Sequence, residues 1–187
     1  TRMAVSFDLF GTLVDAERSD APWDAVAERL DARGVSVPDD WEAAYRSSHR
    51  EYDRGRDALL DEHVRLALAS RDVEVSEATA REAVLAAFDV PVTVRDGARE
   101  ALAAAHDRGP VAVCSNCSVP GLVERTLDRA DLGLDSPLAP DAVVASVDCG
   151  WRKPFEPIFA ATAEALGVPL SALVHVGDDA RTDGGAG

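Results

Sequence analysis

An α/β protein, built on a parallel sheet and interrupted by a helical insert, is what the sequence predicts on three observations. Four short apolar runs, at residues 3–7, 111–114, 142–145 and 173–176, are near-continuous rather than alternating, the pattern of strands buried on both faces of a parallel sheet. Helical patterns separate the later runs, so strand and helix alternate. The first two runs are instead about 100 residues apart, far more than one crossover needs.

Taken in order, the first run is Met3-Ala4-Val5-Ser6-Phe7. The long segment after it carries four amphipathic helical patterns, at 22–33, 39–53, 57–70 and 76–88, with breaks at Gly34, Pro38, Gly55 and Pro91. Pro22 sits where a first-turn proline is tolerated, and Ser76 precedes an apolar helical pattern as an N-cap would. A small helical bundle inserted after the first strand is the economical reading. Downstream, helical patterns occupy 97–108, closed by Gly109-Pro110, then 121–130, and 156–166, closed by Gly167. After the fourth run the chain carries Asp178-Asp179-Ala180-Arg181-Thr182-Asp183 and a glycine-rich end, with no further strand or helix.

The composition narrows the function classes. With 187 residues, 47% of them hydrophobic, a sizeable core is expected. The formal charge of -15, from 34 acidic and 19 basic side chains, argues against binding nucleic acid or an anionic membrane, since both need clustered cations. Eighteen of the 19 basic residues are Arg, and Lys153 is the only lysine. A dense carboxylate surface of this kind suits concentrated salt, which screens its self-repulsion, so a halophilic source is one expectation. Three cysteines and no signal-like or long apolar run point to a soluble, cytoplasmic protein without a disulfide framework.

The chemistry-bearing residues stand at the ends of the strands, where α/β folds place their ligands. The first strand runs into Asp8-Leu9-Phe10-Gly11-Thr12, the second ends in Ser115-Asn116, and the fourth ends in Gly177-Asp178-Asp179 with Asp183 four positions on. Lys153 precedes Pro154 and a helical pattern. In a chain that otherwise uses Arg, a single Lys at such a place suggests a need for a compact point charge.

These four ordered motifs resemble those of the haloacid dehalogenase-like hydrolase superfamily, and the helical insert lies where that family carries its first cap domain. The resemblance implies a Rossmann-like sheet with helices on both faces, a core of residues 1–14 and 95–187, and a cap of 15–94. It implies that Asp8 is a nucleophile attacking phosphorus. It also implies that Mg2+ is held by Asp8, the Phe10 carbonyl and Asp178, with Asp179 assisting, as a hard cation taking oxygen ligands. Thr12, Ser115 and the Asn116 backbone amide would bind phosphoryl oxygens. Lys153 would offset the repulsion between nucleophile and substrate, and Asp183 would orient Lys153 or a metal-bound water. The implied partner is a small phosphorylated metabolite, with no oligomeric state indicated.

Two departures from the family pattern widen the reading. Family phosphatases carry a second Asp two residues after the nucleophile, as general acid and base, and here that position is Phe10. Such assistance is worth roughly 10²–10⁴ in rate. The family's 2-haloacid dehalogenases have an aromatic residue there, so attack of Asp8 on carbon with halide loss is an alternative. Against it, Asp178-Asp179 resembles the metal-binding form of the fourth motif. The family fold also continues past this motif with another strand and helix, which leaves 173–176 expected as an unpaired edge and a weakly active or non-catalytic interaction protein as a third reading.

The remaining candidates read as packing. Cys114 and Cys117 form a C-x-x-C pair that supplies only two metal ligands. His175 reads as a core residue, and His49 and His63 as solvated helix positions. Trp23, Trp41 and Tyr45 are expected in the core of the insert, with Trp151 along the crevice beside Lys153.

Overall fold

The computed structural model describes residues 2–184. The chain forms β1 (Ala4–Phe7), β2 (Val14–Ala16), α1 (Pro22–Asp31), α2 (Trp41–Arg46), α3 (Leu60–Ala69), α4 (Glu77–Phe88) and β3 (Val92–Val94). Next come α5 (Ala98–His106), β4 (Val111–Ser115), α6 (Leu122–Arg129), β5 (Ala142–Ala145), α7 (Ser146–Cys149), α8 (Glu156–Ala165) and β6 (Leu173–Val176).

The main sheet has the order β5-β4-β1-β6, and every pair in it is parallel. Its two faces follow from side-chain alternation along each strand. Phe7, Val111, Val113 and Ala145 meet Leu102, Ala105, Leu122 and Val123 of α5 and α6. Ala4, Cys114, Val144 and Leu173 meet Ile158, Phe159 and Ala163 of α8 on the other face. Helices therefore cover both faces, the Rossmann-like arrangement. Among the described residues β6 has no outer neighbour, and Val174 and Val176 are exposed, as expected for that strand.

The insert is held by α1 against α4, α4 against α3 and α3 against α2. Its core is Val26, Leu30, Trp41, Val64, Leu68 and Val84, and the buried Ala80, Ala83 and Ala87 of α4 let neighbouring helices approach closely. Ser76 caps α4, its Oγ accepting the Thr79 amide at 3.0 Å.

Two features differ from the sequence expectation. The helix expected over 39–53 ends at Arg46, because Ser47 turns extended and its hydroxyl donates to the Ala43 carbonyl at 2.6 Å, offering the backbone an alternative to the next turn. Residues 47–59 then run as an irregular strap. The chain also enters and leaves the insert through an antiparallel ribbon, Val14 opposite Val94 and Ala16 opposite Val92. Strands of three residues carry too little periodicity to be read.

Candidate active site

Four of the sequence motifs converge at the C-terminal edge of the sheet. Asp8 follows β1 directly and its amide donates to the Val176 carbonyl at 2.8 Å, which ties this position to the neighbouring strand. The chain then turns sharply: the amides of Leu13 and Val14 donate to the Leu9 carbonyl, and Gly11 adopts φ 85°. A side chain at Gly11 would be strained there, and its Cβ would stand 2.5 Å from Asp178 Oδ2. This glycine thus lets the first and fourth motifs touch.

Lys153 is buried, 3% exposed, and fully engaged. Its ammonium lies 2.9 Å from Asp8 Oδ1 and 2.7 Å from Asp183 Oδ1. Its backbone is clamped by one side chain, since the Asn116 carboxamide accepts from Lys153 N at 2.7 Å and donates to Lys153 O at 3.1 Å. The Asn116 backbone amide is the group the resemblance assigns to substrate; its side chain, in addition, positions the lysine. Gly177 leaves room for Asp183, which a Cβ would strike.

Behind the lysine, Asp183 Oδ1 also lies 3.1 Å from His175 Nε2, and Asp183 Oδ2 accepts the Asp179 amide at 3.0 Å. Burial pushes the Asp183 carboxyl up, but the Lys153 hydrogen bond and its companions more than offset this and hold it below the usual range. His175 continues the chain of contacts, with Nδ1 2.8 Å from Ser6 Oγ. Burial, then the charge of Lys153, depresses its pKa, so the imidazole is neutral at pH 7. The position read from sequence as core packing is buried indeed, but it is a polar link to the site.

The front of the cleft is less satisfied. Ser115 is 1% exposed and among the described residues its Oγ has no hydrogen-bond partner, an orphaned hydroxyl at the end of β4. Thr12 Oγ1 donates to Asp178 Oδ1 at 3.3 Å. Asp179 turns away to Arg181, at 2.8 Å, whose side-chain and backbone hydrogen bonds hold its carboxyl at about 2. Phe10 lines the cleft, and Arg18 lies over its ring with the guanidinium carbon 4.2 Å from the centroid. The cleft has a volume of about 300 Å³.

A carboxylate from the strap holds one lining residue, Arg152, from outside the cleft. Asp57, its side chain 2% exposed, accepts from Ser118 Oγ at 2.7 Å, Ser146 Oγ at 2.6 Å and Arg152 Nη1 at 2.8 Å. It fixes the insert to the ends of β4 and β5 and holds Arg152 beside Lys153. Nothing in the sequence around Asp57 marks it, because its partners come from three distant segments. Trp151 does not line the crevice; it packs near Phe155 and under Arg56. His49 and His63 are half-buried against each other inside the insert, with His63 Nε2 2.6 Å from the Tyr45 carbonyl.

Oxygens of Asp8, Asp178 and Asp183 lie within 4.8 Å of one another. Hard carboxylate oxygens beside an orphaned Ser115 hydroxyl are a donor set that fits a divalent cation and a phosphoryl group. Both Asp183 oxygens are taken, Oδ1 by Lys153 and His175 and Oδ2 by the Asp179 amide. Among the described residues Asp8 and Asp178 each have only one oxygen engaged, by Lys153 and Thr12 respectively, which leaves their second oxygens open to a metal. The thiols of Cys114 and Cys117 are free and buried, and burial pushes Cys114 up to about 11, so they are inert. A larger cleft of about 530 Å³ near Arg99 and Asp131 contains none of these groups.

The sequence model of the haloacid dehalogenase-like hydrolases matches residues 3–187. The chain belongs to that family. Among solved structures it is similar to the HAD-hydrolase YfnB of Bacillus subtilis, bound to magnesium, at 17% identity and TM-score 0.58, covering 99% of this chain and 84% of that one. It is also similar to CbbY of Rhodobacter sphaeroides in complex with phosphate (21%, TM-score 0.64, 100% and 83%). The L-2-haloacid dehalogenase of Xanthobacter autotrophicus with chloropropionic acid covalently bound matches at 23%, TM-score 0.56, over 100% and 74%. Comparison with curated protein sequences finds no match. At these identities the structural likeness establishes the haloacid dehalogenase-like fold.

Proposed function

We propose that this hydrolase is a Mg2+-dependent phosphatase of a small phosphorylated metabolite, with Asp8 as the nucleophile. The observation that carries the reading is the meeting of Asp8 with both Lys153 and an acidic fourth motif: a carboxylate nucleophile, an ammonium 2.9 Å away, and Asp178 in the same cluster. A carboxylate and a phosphate repel, and their approach needs positive charge fixed in advance. Lys153 supplies one such charge, kept in place by Asp183 and Asn116. Mg2+ held by Asp8, the Phe10 carbonyl and Asp178 would neutralise further charge on the phosphoryl oxygens.

In this mechanism the Asp8 carboxylate forms a bond to phosphorus as the ester oxygen leaves, and water then cleaves the aspartyl phosphate. Ser115 Oγ, unpartnered among the described residues, donates to a phosphoryl oxygen, and Thr12 serves either that oxygen or Asp178. The leaving group must find its proton elsewhere than Phe10, whose ring cannot donate one. The enzyme therefore favours substrates with good leaving groups.

Phe10 is the observation that favours a second reading, dehalogenation of a 2-haloacid by attack of Asp8 on carbon. Assays of p-nitrophenyl phosphate hydrolysis with and without Mg2+ decide between the two when paired with chloride release from 2-chloropropionate. Mg2+-dependent release of nitrophenolate is expected; chloride release alone would replace the phosphatase reading with the second.

A further inference from the structure

Six charged side chains line the cleft, the carboxylates Asp8, Asp178 and Asp179 and the cations Arg18, Arg152 and Lys153. Most are matched within the protein. Lys153 serves Asp8 and Asp183, Arg152 is held by Asp57, and Asp179 is held by Arg181. Asp178 is left for a metal. Arg18 is the remaining charge: it is exposed and lines the cleft, and among the described residues no carboxylate lies within 4.0 Å of it.

It does, however, rest on an aromatic face. The guanidinium rests on the Phe10 ring at 4.2 Å, and Phe10 is two residues from the nucleophile. An aromatic face holds a guanidinium in plane while leaving its N–H edge free to meet an anion. Position 10 thus holds a ring that carries a positive charge at the cleft, where a carboxylate could have moved a proton. An Asp at position 10 would attract the Arg18 guanidinium as an ion-pair partner and leave less of it for ligand.

We propose that Arg18 is a specificity-determining residue that binds a carboxylate of the substrate, so that the preferred substrate is a small phosphorylated carboxylic acid. The assignment rests on the phosphatase reading for the reacting group, and on charge balance for the second one. One uncompensated guanidinium matches a monoanion, and its planar fork matches the two oxygens of a carboxylate. A second phosphate would bring a further negative charge into a cleft where three carboxylates already stand. A volume of about 300 Å³ limits the substrate to a few carbons beyond the phosphate.

The test compares 3-phosphoglycerate, glycerol 3-phosphate, in which a hydroxymethyl replaces the carboxylate, and 1,3-propanediol bisphosphate. Calorimetric binding to the Asp8→Asn protein with Mg2+ needs no turnover. A preference for 3-phosphoglycerate over glycerol 3-phosphate of roughly tenfold or more is expected, falling to near unity in Asp8→Asn/Arg18→Gln and partly restored by Arg18→Lys. Equal binding of the first two ligands, binding of neither, or a preference that survives Arg18→Gln overturns the assignment. Tighter binding of the bisphosphate overturns the carboxylate in favour of a second phosphate. Nitrophenyl phosphate turnover by the wild type separately reports on the phosphatase reading, so failure of one is not mistaken for failure of the other.

Discussion

The back and the front of the cleft are built on opposite principles. At the back, Lys153, Asp183, His175 and Ser6 form a buried chain in which each polar group meets a partner. At the front, among the described residues, the Ser115 hydroxyl has no hydrogen-bond partner and Arg18 has no carboxylate within 4.0 Å, and the Phe10 ring offers no hydrogen bond. A rigid, satisfied wall holds one charge against Asp8, whereas the open wall waits for ligand. If the proposed function holds, stability belongs to the back and selectivity to the front, and substitutions should divide the same way.

The largest effect is expected from Lys153→Met. It leaves the Asp183 carboxylate buried without its main cation, a loss of about 3–5 kcal/mol in denaturant unfolding, together with loss of turnover. Retained stability would mean that the back wall is not held by this pair. Phe10→Asp, at the front, restores a proton-transfer group. Phosphatase turnover should rise by up to roughly 10²-fold with unfolding stability changed by far less than in Lys153→Met. No gain would place the leaving-group proton elsewhere.

A smaller effect comes with pH. The folded-state pKa of His175 lies below its ordinary 6.5, so below that pH the unfolded chain takes up a proton that the folded chain does not. Stability therefore falls as pH drops from about 6.5, and Asp183, held below 3.8, adds a second loss further into acid. His175→Gln should flatten the upper part of this slope, and an unchanged slope would remove His175 from the account. Smallest, and spread over the whole surface, is the response to salt: with 34 carboxylates against 19 cations, molar KCl should raise the melting temperature by a few degrees. Equal stability at low salt would count against the halophilic expectation.

The sheet was legible because strands buried on both faces must be apolar at nearly every position, as Val111 to Cys114 are. The motifs at its edge were legible because a short chain segment carries each of them whole. What escaped was made by distance. His175 reads as core because its neighbours are apolar, yet its partners come from residues 6, 153 and 183. Asp57 finds Ser118, Ser146 and Arg152 only once the insert folds back. Arg18 gains meaning from the ring of Phe10 beneath it and from the absence, among the described residues, of a carboxylate within 4.0 Å, neither of which is a sequence signal. Ser47 ended a helix through a local hydrogen bond that amphipathic spacing does not report.

The central claim is that the Asp8 carboxylate itself attacks phosphorus. Mass spectrometry of the Asp8 peptide after acid quench of enzyme turning over p-nitrophenyl phosphate with Mg2+ tests it directly. The account predicts a phosphoryl adduct on Asp8, with adduct and turnover both lost in Asp8→Asn; turnover that survives Asp8→Asn would contradict it.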